Sequence, residues 1–151
     1  LGVPMDPEIK LIPLGESELL RDGEDLLILA LGTMVHPALE AAQELAAHGV
    51  SAAVVNARFV RPLDEARLLP LIERCGALLT VEEHAGAGGF GGAVLEMLAA
   101  RSLTVPTRCL AIGNELVEHG ETLASQGLEP ADMVKAGIEL LGDRAVAGSG
   151  D

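Results

Sequence analysis

Residues 80–92 read Thr-Val-Glu-Glu-His-Ala-Gly-Ala-Gly-Gly-Phe-Gly-Gly. An apolar run of strand length, residues 77–81, leads into them, and residues 93–98 repeat apolar side chains at helical spacing. The stretch therefore predicts a strand, an acidic corner, a glycine turn and a helix. Glycines let the backbone turn sharply and pass close to its neighbours. Because ligands and partners usually dock at the carboxyl ends of parallel strands, we expect function at this corner.

The same alternation of strand and helix patterns extends in both directions along the chain. Residues 26–31 are apolar throughout, which is typical of a strand covered on both faces. Residues 18–21 precede them across Asp22-Gly23, so we expect these two strands to form an antiparallel hairpin. Further strands are predicted over residues 50–56, 77–81 and 107–112. The pattern predicts a three-layer α/β/α fold with a mostly parallel five-stranded sheet whose first strand is antiparallel.

Helices are predicted between these strands and after the last one. We expect Thr33 to cap the first helix and Asp64 the second, although Pro70 should break or kink the second one. Residues 89–100 form the third predicted helix, and Pro130 opens the last one. The predicted organisation is an extended N-terminal arm over residues 1–16, an α/β domain over 17–142 and a disordered tail over 143–151. Since the chain starts at Leu1 rather than methionine, we expect a piece of a longer protein.

Composition excludes several classes of function. With 23 acidic against 10 basic residues, the net charge is −13, which opposes binding to nucleic acid or to an anionic membrane surface. The longest apolar stretch, residues 26–31, is too short to cross a bilayer. The two cysteines, Cys75 and Cys109, lack the spacing of zinc ligands and have apolar neighbours. We therefore expect a reduced cytoplasmic protein with both thiols in the core.

The glycine turn matches the dinucleotide-binding pattern G-x-G-x-x-G at Gly86, Gly88 and Gly91. Such a fingerprint normally follows the first strand of a sheet and requires an acidic residue at the end of the next strand. Here it follows the fourth strand, and Glu82 and Glu83 would repel a pyrophosphate. The sequence favours close backbone packing over nucleotide binding.

The polar residues of the corner allow two interpretations. Glu82, Glu83 and His84 could act as acid and base or hold a metal; alternatively one carboxylate caps the glycine turn or pairs with Arg58. Arg58 and Arg61 could clamp a phosphate or carboxylate, or form salt bridges with a neighbouring domain. Adjacent residues of an extended segment point in opposite directions, which favours a contact surface over a reaction centre. The candidate contact residues are Arg58, Arg61, Glu82, Glu83, His84, Gly88, Gly89, Phe90 and His119.

Taken together, these motifs resemble those of a known family. The segments at residues 32–36 and 56–64, and Thr80 to His84 followed by Gly88 to Gly91, look like the C-terminal domain of transketolases and their relatives. Arg58 to Asp64, with Glu118-His119-Gly120 and Gly127-Leu128 further on, most resemble the 1-deoxy-D-xylulose-5-phosphate synthases. The resemblance covers about residues 17–142.

The resemblance implies a homodimeric enzyme that uses thiamine diphosphate and Mg²⁺ to join pyruvate and glyceraldehyde 3-phosphate, a precursor reaction for isoprenoids, thiamine and pyridoxal. In that family the cofactor lies between two preceding domains. The present chain lacks the Gly-Asp-Gly motif that places the metal-bound diphosphate. The resemblance therefore implies a third module without catalytic, cofactor-binding or metal-binding residues of its own, whose partners are the preceding domains.

Two alternatives stay open. Residues 112–117 depart from the synthase pattern, which leaves room for the C-terminal domain of a transketolase or of a 2-oxo acid dehydrogenase beta subunit. A different class of function is a stand-alone regulatory domain that binds an anionic metabolite through Arg58 and Arg61.

Overall fold

The computed structural model describes residues 11–113, 117–118 and 122–147, with the backbone alone for residues 143–147. The strands are β1 (Glu18–Arg21), β2 (Leu26–Ala30), β3 (Ala52–Asn56), β4 (Leu78–Ala85) and β5 (Thr107–Ile112). The helices are α1 (Val35–Ala47), α2 (Glu65–Cys75), α3 (Phe90–Ala100) and α4 (Pro130–Ala147). Two 3-10 turns lie at Gly32–Met34 and Leu123–Gln126.

The strands form one five-stranded sheet in the order β1-β3-β2-β4-β5. Strands β2 to β5 are parallel, and β1 is antiparallel to its neighbour. Leu26, Ile28 and Ala30 pack with residues of α1 and α4, whereas Leu27 and Leu29 pack with residues of α2 and α3. All five are fully buried, as their uninterrupted apolar run predicts. The predicted three-layer α/β/α fold is confirmed.

The predicted hairpin between the first two strands is wrong, because β1 pairs with β3 and Glu18 lies opposite Asn56. Both edges of β2 are occupied by the parallel strands β3 and β4. The connection from β1 to β2 crosses the start of β3, where a Cβ on Gly23 would lie 2.4 Å from the Ala52 carbonyl carbon. The antiparallel direction of β1 therefore brings the chain into the domain at the carboxyl end of β3.

The helix ends differ in part from the prediction. Asp64 caps α2 and accepts a hydrogen bond from Arg67 N at 3.3 Å, as predicted, and the helix continues unbroken through the exposed Pro70. Thr33 does not cap α1, since a 3-10 turn intervenes and α1 begins at Val35. The last helix extends to Ala147, beyond the predicted boundary at Gly142.

Two further predictions change with the structure. Strand β4 runs to Ala85, so Glu82, Glu83 and His84 belong to the strand rather than to the turn after it. Cys75 is buried as predicted, but Cys109 is exposed because β5 is an edge strand of the sheet. Residues 1–10 of the predicted arm, residues 148–151 of the predicted tail and His119 lie outside the described residues.

Candidate functional site

The carboxyl ends of β2, β3 and β4 surround a pocket of about 460 Å³. Its lining comes from residues 31–33 after β2, from Val60 after β3, and from residues 82–84 and 88–90 of the acidic corner. If the strands are parallel, the sequence predicts that residues 33–36, 58–61, 82–92 and 114–119 emerge at one edge of the sheet, and the first three of these segments meet here. Of the fourth, residues 114–119, only residues 117 and 118 are described.

Glu82 caps helix α3. Its side chain is buried, and its two carboxylate oxygens accept hydrogen bonds from Phe90 N at 2.7 Å and Gly91 N at 2.8 Å. A negative charge is stabilised at a helix N-terminus, where backbone N–H groups lack partners within the helix. Gly89 has to be glycine, because a Cβ there would lie 2.5 Å from Glu82 Oε2. The capping interpretation is confirmed.

The cap by Glu82 also bears on whether the G-x-G-x-x-G segment could bind a dinucleotide. In a dinucleotide-binding fold the pyrophosphate accepts hydrogen bonds from the N–H groups at the helix N-terminus. Here Phe90 N and Gly91 N already donate to Glu82. A phosphate at this position would have to displace a buried carboxylate of the same charge. Close packing, which the sequence favours, holds for Gly89 against Glu82 and for Gly91 against Thr80 and Cys109, whereas Gly88 supplies a positive φ of 74° in open space.

Glu83 and His84 have different hydrogen-bond partners from Glu82. Glu83 is exposed and its Oε2 accepts a hydrogen bond of 2.6 Å from Thr33 Oγ1. His84 is also exposed, with Nδ1 3.2 Å from the carbonyl oxygen of Ala85. All three residues line the pocket, but each side chain is held by a different partner: Glu82 by the start of α3, Glu83 by Thr33 and His84 by the Ala85 carbonyl. The hydrogen bond from Thr33 to Glu83 was not predicted from the sequence. Its one signal was the position of Thr33 just after β2, the strand that pairs with β4.

The two arginines of the candidate surface each bind a different carboxylate. Arg58 has a positive φ of 59° and its guanidinium lies 2.5 Å from Glu18 Oε2 of β1. Arg61 lies 3.2 Å from Glu96 Oε2 of α3, with both side chains largely exposed. An exposed pair of this kind contributes little to stability. The arginines tie the loop after β3 to two different elements and do not form one clamp around an anion.

Asp64 fastens the start of the domain to helix α2, a role that the sequence did not indicate. Its Oδ2 accepts hydrogen bonds from Ser17 N at 2.9 Å and Ser17 Oγ at 2.8 Å. Burial acts to raise the pKa of Asp64, but the hydrogen bonds from Ser17 and Arg67 outweigh it, so the pKa lies below its ordinary value of 3.8. The residues before β1 are thus held beside the strand ends.

The lining of the strand-end pocket does not match that of a site for a metal-bound diphosphate. Within the described residues, no group of three or more His, Cys, Asp or Glu side chains could hold a metal ion. The pocket is lined by two carboxylates and by no lysine or arginine of the described chain, so it does not fit thiamine diphosphate.

Burial raises the pKa of the Cys75 thiol, which keeps it protonated and unreactive. No helix in the described ranges is long and apolar enough to span a membrane.

Comparison with known proteins identifies the family. The family model described as "Transketolase, C-terminal domain" matches residues 15–133. The chain belongs to this family. The match covers all five strands and the start of α4, so the family assignment rests on the whole sheet.

Relatives within this family carry the name 1-deoxy-D-xylulose-5-phosphate synthase. The one from Gloeobacter violaceus is 48% identical over 139 residues, which cover 90% of this chain and 22% of the relative. The one from Synechococcus elongatus is 43% identical over 153 residues, covering 99% of this chain and 24% of the relative. The chain thus spans about a quarter of the length of these synthases.

A solved structure supports the same fold. The protein called "Split gene transketolase, inactive beta4 tetramer" matches with a TM-score of 0.82 and 36% identity. The match covers 93% of this chain and 46% of that protein. The family membership, the synthase resemblance and the mixed sheet are therefore established, and the chain is similar to one part of larger transketolase-type proteins.

Proposed function

We propose that this chain is the C-terminal domain of a 1-deoxy-D-xylulose-5-phosphate synthase and acts there as a structural module. The whole enzyme would use thiamine diphosphate and Mg²⁺ to combine pyruvate with glyceraldehyde 3-phosphate, releasing CO₂. The preceding domains would hold the cofactor, and the module would support them and the homodimer. The proposal keeps the cytoplasmic location that the cysteine pattern predicts.

The observation that carries this proposal is the use of the polar groups at the strand ends. Glu82 caps α3, Glu83 binds Thr33, and Arg58 and Arg61 are paired with carboxylates. A catalytic acid, base or nucleophile needs a partner group directed at a common point. In the described corner Glu82, Glu83 and His84 are each engaged with a different partner, and the exposed apolar and charged side chains beside them suit contact with another domain.

A transketolase of another kind is the second candidate, because the solved structure with 36% identity is a transketolase. A stand-alone domain that binds an anionic metabolite is less well supported. Its two proposed ligands, Arg58 and Arg61, are engaged with Glu18 and Glu96, and both lie in a strongly acidic chain.

A chimeric enzyme tests the proposal. The matched segment of the Gloeobacter violaceus synthase is replaced by this chain, and the synthase reaction is measured. We expect turnover with the chimera and none with the same synthase lacking the segment, because the module supports the catalytic domains without supplying reactive groups. A chimera that folds and dimerises but turns over only a transketolase donor and acceptor would favour the second candidate.

Calorimetric titration of the chain alone is the complementary measurement. Thiamine diphosphate with Mg²⁺ should give no saturable heat, because the pocket lining is negative and apolar. Calorimetry is required since the chain has no Trp or Tyr for intrinsic fluorescence. A stoichiometric complex would refute the module assignment.

A further inference from the structure

The pocket at the strand ends combines apolar walls with a negative rim. Leu31 and Val60 supply apolar surface above the buried Phe90, and Val60 is 37% exposed. Of the two carboxylates, Glu82 is buried against the N–H groups of α3. Glu83 is exposed at the rim, where the 2.6 Å bond from Thr33 fixes its direction. The free negative charge of the pocket is therefore concentrated on Glu83.

No lysine or arginine of the described residues lines this pocket, and the histidine in its lining, His84, has Nδ1 3.2 Å from the carbonyl oxygen of Ala85. The nearest arginines along the loop after β3, Arg58 and Arg61, are directed to Glu18 and Glu96. The charge on Glu83 is thus left for an external cation. Apolar walls that lead to a rim carboxylate suit a side chain with an apolar stem and a cationic head. Arginine fits best, because its planar guanidinium can bind both oxygens of a carboxylate at an interface.

The direction of β1 indicates where such a side chain comes from. Glu18 lies opposite Asn56, at the carboxyl end of β3, and Ser17 is bound to Asp64 beside it. Residues that precede Ser17 therefore reach the domain at the same end of the sheet as the pocket. A covalently linked partner held there has a high effective concentration at the pocket.

We infer that the pocket receives an arginine side chain from the preceding domains of the enzyme, with its guanidinium on Glu83 and its stem against Leu31 and Val60. This inference rests on the proposed function and adds the chemistry of the contact. It assigns Glu83 a role in assembly that differs from the structural role of Glu82.

Association between this chain and the rest of a synthase tests the inference. The partner is the Gloeobacter violaceus synthase without its matched segment, and the affinity is measured by calorimetry at several salt concentrations. We expect Glu83→Gln to weaken association by roughly tenfold or more and to reduce its salt dependence, because a charge pair is lost. Glutamine can still accept the bond from Thr33, so the fold of the variant is kept.

Glu73→Gln is the matched control. Glu73 is exposed near the end of α2, at the opposite end of the sheet from the pocket, and its replacement changes the net charge by the same amount. The affinity of Glu73→Gln for the rest of the synthase should stay within about twofold of the wild type if Glu83 acts through a local contact rather than through the overall charge. An equal loss of affinity in Glu83→Gln and Glu73→Gln would overturn the inference.

A small probe identifies the chemistry of the occupant. Acetyl-arginine methylamide and its neutral analogue acetyl-citrulline methylamide are titrated into the isotope-labelled chain and followed by NMR. We expect saturable shifts at Thr33, Glu83 and Gly88 with the arginine compound, and none with the citrulline compound or with Glu83→Gln. Equal binding of both compounds, or no saturable shift, would overturn the inference.

The outcomes separate the two proposals. If the wild-type chain does not associate with the rest of the synthase while the synthase's own segment does, the proposed function fails. If it associates and Glu83→Gln binds equally well, only the inference fails. A second copy of this chain is the other possible occupant of the pocket, and sedimentation of the chain alone tests it. If the wild type forms a dimer that dissociates in Glu83→Gln, the pocket binds a second copy and the inference is overturned.

Discussion

Replacing Gly91 with alanine tests how closely α3 packs on the sheet. Gly91 is buried in the first turn of α3, where a Cβ would lie 2.8 Å from Thr80 Oγ1, 2.9 Å from Cys109 Sγ and 3.0 Å from Cys109 Cβ. Thr80 is fully buried in β4, and a β-branched side chain has little freedom to rotate away. The added methyl group therefore forces the helix or the strands to shift.

The change in the free energy of unfolding that we expect for Gly91→Ala is the sum of two opposing effects. Alanine favours a helix over glycine by roughly 0.5–1 kcal/mol, whereas overpacking a core costs about 1–3 kcal/mol. We expect Gly91→Ala to lower the free energy of unfolding by about 1–2 kcal/mol. The neighbouring Gly92 is the matched control, because a Cβ there meets nothing within 4 Å. Gly92→Ala should gain only the helix preference and raise the free energy of unfolding by up to about 1 kcal/mol.

Urea unfolding followed by far-UV circular dichroism measures both variants. Intrinsic fluorescence is unsuitable, since Trp and Tyr are absent from the sequence. A double-mutant cycle with Thr80→Ala locates the clash: removing the hydroxyl group should reduce the cost of Gly91→Ala. If Gly91→Ala is as stable as Gly92→Ala, the close packing of α3 on β4 and β5 described above is incorrect.

Three further predictions concern other contacts. Glu82→Gln should lower the free energy of unfolding by about 2 kcal/mol, because the amide NH₂ of glutamine then faces a backbone N–H of α3. Glu83→Gln should change the free energy of unfolding by less than about 0.5 kcal/mol, and urea unfolding compares the two variants. The pKa of Asp64 is lower in the folded protein than in the unfolded chain, so its stabilising contribution is present above pH 3.8 and is lost as pH falls through the folded value. Asp64→Asn should therefore be less stable than the wild type at pH 7 and differ little from it at the lowest pH, and equal pH dependence of the two proteins would contradict this. Cys109 should react with a thiol reagent in the folded protein, whereas Cys75 should react only at the rate of unfolding; two equally fast thiols would show that Cys75 is not buried.

The central part of the fold could be predicted from local sequence. The apolar run of β2 specifies a strand covered on both faces, and the structure buries all of its residues. A cap by one carboxylate of the acidic corner could be predicted, but that this carboxylate is Glu82 could not, because it depends on the side of β4 on which α3 packs. Asp64 at the start of α2 was recognisable because a capping side chain acts on the next turn of its own helix.

The errors concern properties that no short segment contains. The partner of β1 depends on which strands occupy the edges of β2, and that is decided by the whole sheet. Cys109 has apolar neighbours in sequence but lies on an edge strand, so one side of it lacks a covering strand. Thr33 is a good cap by residue type, yet its hydroxyl group binds Glu83, which is 50 residues away.

The position of Glu82 has a consequence for how assembly is detected. The same carboxylate that holds the first turn of α3 also lines the pocket, so a partner seated in the pocket packs against that turn. Anything that binds only the folded form raises its stability, by an amount that grows with the logarithm of the ligand concentration divided by Kd. Proteolytic cleavage near the start of α3 should therefore mark domains that are not yet joined to the rest of the enzyme.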